Sequence, residues 1–211
     1  AQFVAPKVKE LFCIEPSKAI KIAKSNLKEF RNIRYLKETT ETCSLDDASQ
    51  DFGYCLGVLH HIPKTESALN DCARILKQGA PFLLYLYYNF EDKPWWFKGI
   101  WNASDLIRRI ISILPKIPKN IACDLIAITI YFPLARLSLL LEKLGMNISN
   151  IPLSDYRNKP FYIHRNDALD RFGTRLEQRF SKSQVTEMLK CSGFENISIS
   201  PGTPYWTYLA Y

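Results

Sequence analysis

His61, His164 and Asp167 are the side chains of this 211-residue chain that could take a proton from an oxygen nucleophile, given hydrogen-bond reach of it. A second set lies between Ser154 and Arg175, where arginine and aromatic residues are dense. Arg157, Arg165 and Arg171 carry two-pronged donors suited to phosphate or carboxylate, and Tyr156 and Tyr162 add flat contact area and a hydroxyl. A polar pocket for an anionic substrate needs such residues. A loop stitched together by Arg–Asp pairs would use the same ones, and the sequence leaves both readings open. The six cysteines (Cys13, Cys43, Cys55, Cys72, Cys123, Cys191) are scattered without a C-x-x-C. They read as small core residues of a chain from a reducing, cytoplasmic compartment, with no metal site and no disulfide framework.

Composition sets the frame for these residues. At 47% hydrophobic and 23% charged, the chain has enough apolar material for one globular core, which excludes disordered and fibrous classes. Glycine is scarce, 8 residues in all, and no G-x-G occurs, so no complete glycine-rich nucleotide loop is present. The net charge of +7 is concentrated. Residues 93–180 hold 14 Lys/Arg against 7 Asp/Glu, while both flanks are neutral. Either the middle block presents a solvated basic face, or it attracts an anionic substrate or an acidic membrane surface.

The elements that must position these groups follow from periodicity. ELFCIE (10–15), Ile33–Leu36, Phe52–Leu59 and Phe82–Tyr88 read as buried strands. Between them, Ser17 opens one helix and Pro63 another, the latter stopped by Gly79. Strands alternating with single helices predict right-handed crossovers and a parallel sheet. Ser181-x-x-Gln184 opens a last helix closed by Gly193. Strands at 197–200 and 205–211, split by Pro201-Gly202, then pair antiparallel. In the middle block, 105–114 predicts a helix with Leu106, Ile107, Ile110, Ile111 and Leu114 on one side, opposite Arg108 and Arg109. A second helical region, 121–144, is expected to break or kink at Pro133. Its charge-free stretch of 125–135 is shorter than the ~20 residues of a membrane span. A core or lid helix is the expectation there. Trp95, Trp96, Phe97 and Trp101 are expected to pack in the core, with covering a hydrophobic substrate or touching a membrane surface as the alternatives.

The segment DFGYCLGVLHHIP (51–63) resembles the fourth-strand motif of class I S-adenosylmethionine-dependent methyltransferases, within their type 11 group. Gly57-Val58-Leu59-His60-His61 matches it, as does Ala73-Arg74-Ile75-Leu76-Lys77-Gln78-Gly79 on the following helix. Gln50 and Gly53 depart from the usual Phe and Val. The resemblance implies a Rossmann-like α/β fold with a mostly parallel sheet and an antiparallel last strand. It also implies S-adenosyl-L-methionine as cofactor. Glu15, followed by Pro16, then corresponds to the acidic residue that binds both ribose hydroxyls. Thr40 and Glu41 fall in the adenine-contacting loop, where Thr39 replaces the usual Asp. Leu56 and Gly57 face the methionine half. His61 lies at the mouth of the site as base or as a brace for the next helix.

In that frame residues 1–211 form one methyltransferase domain, and 93–180 are a helical lid that recognises the substrate. The family's first strand and glycine loop would precede Ala1, so Ala1–Val8 reads as the remainder of the first helix. The 211 residues alone are then expected to bind cofactor weakly and to be inactive. The expected acceptor is a small molecule, with O-methylation favoured and an anionic, sugar- or lipid-linked group in view. Residues 93–144 are an expected site of peripheral membrane contact. Nucleic acid ranks behind these partners, because no RNA-binding signature is present. Two rivals stay open: a degenerate, non-catalytic module, and an NAD-dependent oxidoreductase. The G-V-L-H-H strand and the lack of a Tyr-x-x-x-Lys pair count against the second.

Overall fold

The computed structural model of the chain describes residues 1–200 and 206–211. In chain order its elements begin with β1 (Leu11–Ile14), α1 (Ala19–Asn26), β2 (Ile33–Leu36), β3 (Gly53–Leu56), α2 (Thr65–Ile75) and β4 (Phe82–Tyr85). The helices α3 (Trp95–Ser112), α4 (Lys116–Ile126), α5 (Phe132–Lys143) and α6 (Phe161–Gly173) follow. The chain ends with α7 (Lys182–Cys191), β5 (Ser198–Ile199) and β6 (Thr207–Ala210). Two compact units divide it. One comprises Ala1–Leu86, residues 182–200 and Trp206–Tyr211; the other contains Tyr87–Ser181.

The first unit is α/β. β1 and β2 pair in parallel, Leu11 opposite Ile33 and Ile14 opposite Leu36. Leu11 and Ile33 bury with Ala5 and Leu27 into one apolar cluster. β3 and β4 form a second parallel pair, bridged by α2, whose Ala68, Leu69 and Cys72 make the buried stripe. β6 runs antiparallel to β4, and β5 antiparallel to β6, giving the order β3-β4-β6-β5. The parallel strands thus fall into two sheets. The expected antiparallel end is present, while the Pro201-Gly202 break lies outside the described residues.

Local departures from expectation have local causes. The third strand stops at Leu56, not Leu59, because Gly57 takes φ +74°, and a 3-10 turn, Leu59–His61, follows. Residues 1–8 hold a single 3-10 turn, Ala5–Lys7, rather than a helix, with Pro6 lacking an N–H to extend it.

The second unit is helical, cored by Ile111, Cys123, Ala127, Tyr131, Ala168 and Phe172. Its main helix is longer than expected and does not break at Pro133. Lys116–Lys143 is helical throughout, 28 residues, with one π-helical stretch at Ala127–Tyr131 just ahead of Pro133. The wider turn accommodates the proline ring and its missing N–H. By length and composition this helix could cross a membrane, yet only one side of it is open. The side of α3 expected to be apolar is split: Leu106, Ile107 and Ile110 are exposed, whereas Ile111 is buried and Leu114 packs on the same cluster, and Asp105 and Arg108 are buried as well. Trp95, expected in the core, is 84% exposed.

Candidate functional site

Parallel strands deliver their following loops to one edge, and the candidate cofactor residues lie on such edges in the first unit. Glu15 directly follows β1, and its N–H donates to the carbonyl of Leu36 at 3.0 Å. Its carboxylate is oriented locally: Oε1 accepts the Ser17 N–H at 2.9 Å, and Ser17 Oγ accepts the Ala19 N–H at 3.0 Å. Glu15 is half-buried and Pro16 exposed. The loop after β2 is closed by reciprocal hydroxyl bonds. Thr42 Oγ1 accepts the Thr39 N–H at 3.1 Å, and Thr39 Oγ1 accepts the Thr42 N–H at 3.2 Å. Thr39, standing where the family has Asp, therefore shapes the loop that carries half-buried Thr40 and exposed Glu41.

A second group sits at the end of β3. Gly57 donates its N–H to the Tyr85 carbonyl at 3.0 Å and turns the chain at positive φ. Leu56 and Val58 on either side are exposed, an apolar lip around a glycine backbone. Beyond it, His60 is fully buried and His61 half-buried, their rings 4.1 Å apart. Thr65 Oγ donates to the Leu59 carbonyl at 3.1 Å and ties this turn to the start of α2. Cys55 beside the lip is no nucleophile, since burial pushes its thiol up to about 11.

The departures from the family pattern are packed, not loose. A Cβ on Gly53 would stand 3.1 Å from Phe82 Cδ2 and 3.2 Å from Leu76 Cδ2, so those two side chains fill the space of a Val. Gln50 bridges Leu76 in parallel, its N–H donating to Ile75 and its carbonyl accepting from Lys77, both at 2.9 Å.

The remaining sequence candidates lie in the second unit. The arginine- and aromatic-rich stretch, whose sequence leaves a substrate pocket and a salt-bridged loop both open, is largely helix α6. His164 is fully buried, its Nε2 3.0 Å from the Tyr156 carbonyl oxygen, and Tyr156 also hydrogen-bonds Asp167. Tyr131 stacks edge-on against Tyr156 at 5.8 Å. Burial pushes the Asp167 carboxyl above its ordinary range, opposed by the Tyr156 bond. His164, Asp167 and Tyr156 are thus brought together. The arginines are each engaged by a carboxylate: Arg157 two-pronged on Glu142 at 2.7 Å, Arg165 on Asp124, and Arg171 on Glu177 at 2.6 Å. Tyr162 is exposed. Arg157 also lines a cavity of about 310 Å³ together with Lys93, Phe97, Ser149 and Asp155.

Sequence reasoning missed the ionic cluster that organises this unit. Arg171 and Arg179 share Glu177 Oε1, at 2.6 and 2.8 Å, and both guanidinium groups stack near the Trp101 ring. Arg179 also donates to the Tyr88 carbonyl at 3.1 Å. Only the excess of arginine over acid in this block hinted at it. Among the described residues, no group of three or more His, Cys, Asp or Glu side chains is arranged to hold a metal.

The cofactor residues fit an S-adenosyl ligand in type: a fixed carboxylate for a diol, a polar loop, and an apolar lip with a close backbone. Comparison with known proteins points the same way. Residues 1–84 match the methyltransferase-domain model of the type 11 group. The chain is 32% identical over 91 residues to the uncharacterized methyltransferase YcgJ of Bacillus subtilis (strain 168), covering 42% of this chain and 36% of that protein. Among solved structures, it resembles an S-adenosylmethionine-dependent methyltransferase of Methanosarcina mazei, with TM-score 0.53 and 15% identity over 99% of this chain and 84% of the other. A provisionally named methyltransferase of Bacillus halodurans C-125 gives TM-score 0.53 at 16% identity, over 93% of this chain and 59% of the other. The chain spans about a third of its curated relative and under two thirds of this last structure. These structural likenesses carry the fold. Over residues 1–84, the chain is similar to the type 11 group of class I S-adenosylmethionine-dependent methyltransferases.

Proposed function

We propose that this chain serves methyl transfer from S-adenosyl-L-methionine to a hydroxyl of a small-molecule acceptor. The observation that carries the reading is the set of candidate ligands at the carboxyl ends of strands from two parallel pairs: Glu15 after β1, Thr40 and Glu41 after β2, Leu56 and Gly57 at the end of β3. When bound, the cofactor supplies an electrophilic methyl group on a sulfonium. Glu15 accepts hydrogen bonds from the ribose hydroxyls, its carboxylate held in orientation by the Ser17 N–H, with Pro16 stiffening the exit from the strand. Thr40 and Glu41 flank the adenine, and Leu56 with the Gly57 backbone lines the methionine half.

In-line displacement asks little of the protein beyond holding the acceptor close and excluding water. His61, half-buried, takes the acceptor hydroxyl proton. His164 and Asp167 are alternative bases whose burial beside Tyr156 suits them better to positioning. The helical segment 93–180 serves as the acceptor-recognition lid. Tyr156, Arg157, Tyr162, Arg165 and Arg171 contribute to it, and the basic excess favours an anionic, sugar- or lipid-linked acceptor.

Saturation-transfer NMR, which reads weak ligands, tests the cofactor half. S-adenosylhomocysteine should receive saturation at its ribose protons, and Glu15→Ala should abolish that signal while leaving the fold intact. NAD should receive none. Saturation of NAD alone would make the chain a nicotinamide-binding module, and none for either ligand would refute S-adenosyl binding by this chain.

A further inference from the structure

Outside its core cluster, the helical unit leaves many large aliphatic side chains in solvent, while several small and polar ones on the same helices are buried. On α3 the outward set is Leu106, Ile107, Ile110 and Ile113, the last two 59% and 66% exposed; the inward set includes Asp105, Arg108 and Ser112. The following helix repeats the inversion. Ile117, Ile121, Leu125 and Ile128 recur at helical spacing and are exposed, while Cys123, Ala127, Ala135 and Ser138 are fully buried. The outward isoleucines continue across the α3–α4 turn, and Trp95 and Trp96 stand at the head of α3. Singly exposed aliphatics are ordinary, but an aliphatic face on two consecutive helices marks an interaction surface.

Charge selects the occupant. Residues 93–144 hold 8 Lys/Arg against 3 Asp/Glu. All three acids are engaged in ion pairs, Asp105 with Arg108, Asp124 with Arg165 and Glu142 with Arg157. Exposed Arg109, Lys116 and Lys143 each follow an exposed aliphatic by three residues, namely Leu106, Ile113 and Leu140. Long basic side chains so placed can lay their stems on apolar surface and raise their charges to an anionic layer. A second copy is disfavoured, because two blocks of net +7 would have to meet. Crossing the bilayer is disfavoured too, since one side of Lys116–Lys143 is packed on α6, and Asp124 within it is ion-paired with Arg165 of that helix. An open apolar face on one side, basic residues on its border and tryptophan at one end describe a helix pair lying in a membrane interface.

We propose that the outward face of α3 and Lys116–Lys143 docks on an anionic lipid bilayer surface. This goes beyond methyl transfer and needs no cofactor to be tested. In flotation with vesicles of equal parts phosphatidylglycerol and phosphatidylcholine, the chain should rise with the lipid, and with pure phosphatidylcholine it should bind at least tenfold less. Raising salt from about 0.1 to about 0.5 M should release it. Tryptophan emission should shift to the blue on binding, and Trp95→Phe should diminish the shift. The pair Ile110→Glu with Leu125→Glu should lower partitioning roughly 100-fold at unchanged circular dichroism and melting temperature. Lys116→Glu with Lys143→Glu should lower it roughly tenfold. Failure of the folded chain to float with anionic vesicles overturns the proposal. So does a concentration-dependent dimer that the Ile110→Glu, Leu125→Glu pair dissolves while flotation is absent, which would make the face a self-association surface.

Discussion

Arg108 donates to Asp105 one turn back along α3, Nε to Oδ1 2.6 Å, with both side chains turned into the helical unit. The same guanidinium donates through Nη1 to the carbonyls of Thr174 and Arg175, each at 2.9 Å. Asp105 in turn accepts from the exposed Arg109 at 3.0 Å. A buried charge persists only when paired and hydrogen-bonded, and this pair is both. It therefore fixes which side of α3 faces in, and Leu106, Ile107 and Ile110 are left outside.

Removing Asp105 should cost this unit about 3 kcal/mol, because Arg108 would remain buried without its carboxylate. Urea denaturation of Asp105→Ala measures this, and a loss below about 0.5 kcal/mol would mean the pair is not what orients α3. The acid limb should change as well. Burial raises the Asp105 carboxyl, but Arg108 and Arg109 outweigh it, so the folded value lies below the unfolded one. The stabilisation is then complete above about pH 4, where the unfolded carboxyl is also ionised, and disappears as pH falls through the lower folded value. Asp105→Asn should flatten stability against pH in that acidic window and leave its shape near neutrality alone.

That inversion explains what the sequence could and could not tell. β1 and β4 were legible because each is a short apolar run, largely withdrawn from solvent, while β2 showed only as Ile, Tyr and Leu around an exposed Arg34. The placing of Glu15 just past a strand end was legible because the apolar run stops there. The amphipathic pattern of α3 was equally clear, but hydropathy tells only that a helix has two faces. Which face turns inward depended on Arg108 finding carbonyls 66 and 67 residues away. Spacing along the chain does not encode such a partner. The π-helical stretch before Pro133 was hidden for a related reason: proline announces a lost hydrogen bond but not how the backbone absorbs it.

Gly57 and Gly79 share φ +74°, yet only Gly57 lies at the proposed cofactor lip. Alanine at either should cost about 1–2 kcal/mol for the left-handed backbone. Neither site is short of room, the nearest atom to a Cβ on Gly57 being Tyr85 Cδ1 at 3.8 Å. Saturation transfer to S-adenosylhomocysteine should fall for Gly57→Ala and persist for Gly79→Ala. Equal behaviour of the two would remove Gly57 from the binding surface.

Restoring the family's usual residue at position 53 should harm this chain. Gly53→Val would place branched carbons against Phe82 and Leu76, which already stand 3.1 and 3.2 Å from the Cβ position. Thermal unfolding should report a loss of about 1–3 kcal/mol. Adding Leu76→Ala should recover part of it, since the Val would then occupy the vacated volume. A neutral or stabilising Gly53→Val would show instead that the position is merely eroded, as a degenerating module would have it.

The three histidines can be separated by reagent access. His60 and His164 are fully buried, whereas His61 is only half-buried in the turn after β3. Diethyl pyrocarbonate attacks an imidazole nitrogen that it can reach, so the folded chain should be modified once, at His61, and three times after unfolding. Peptide mass spectrometry reads both counts. The substitutions should divide the same way: His60→Ala empties a packed position and should cost about 2–4 kcal/mol. His61→Ala should stay within about 0.5 kcal/mol and leave the S-adenosylhomocysteine signal in place. Protection of His61 from the reagent by that ligand would tie its half-buried imidazole to the Glu15–Gly57 surface. Modification at an unchanged rate in its presence would put the base elsewhere, with His164 and Asp167 next to be tried.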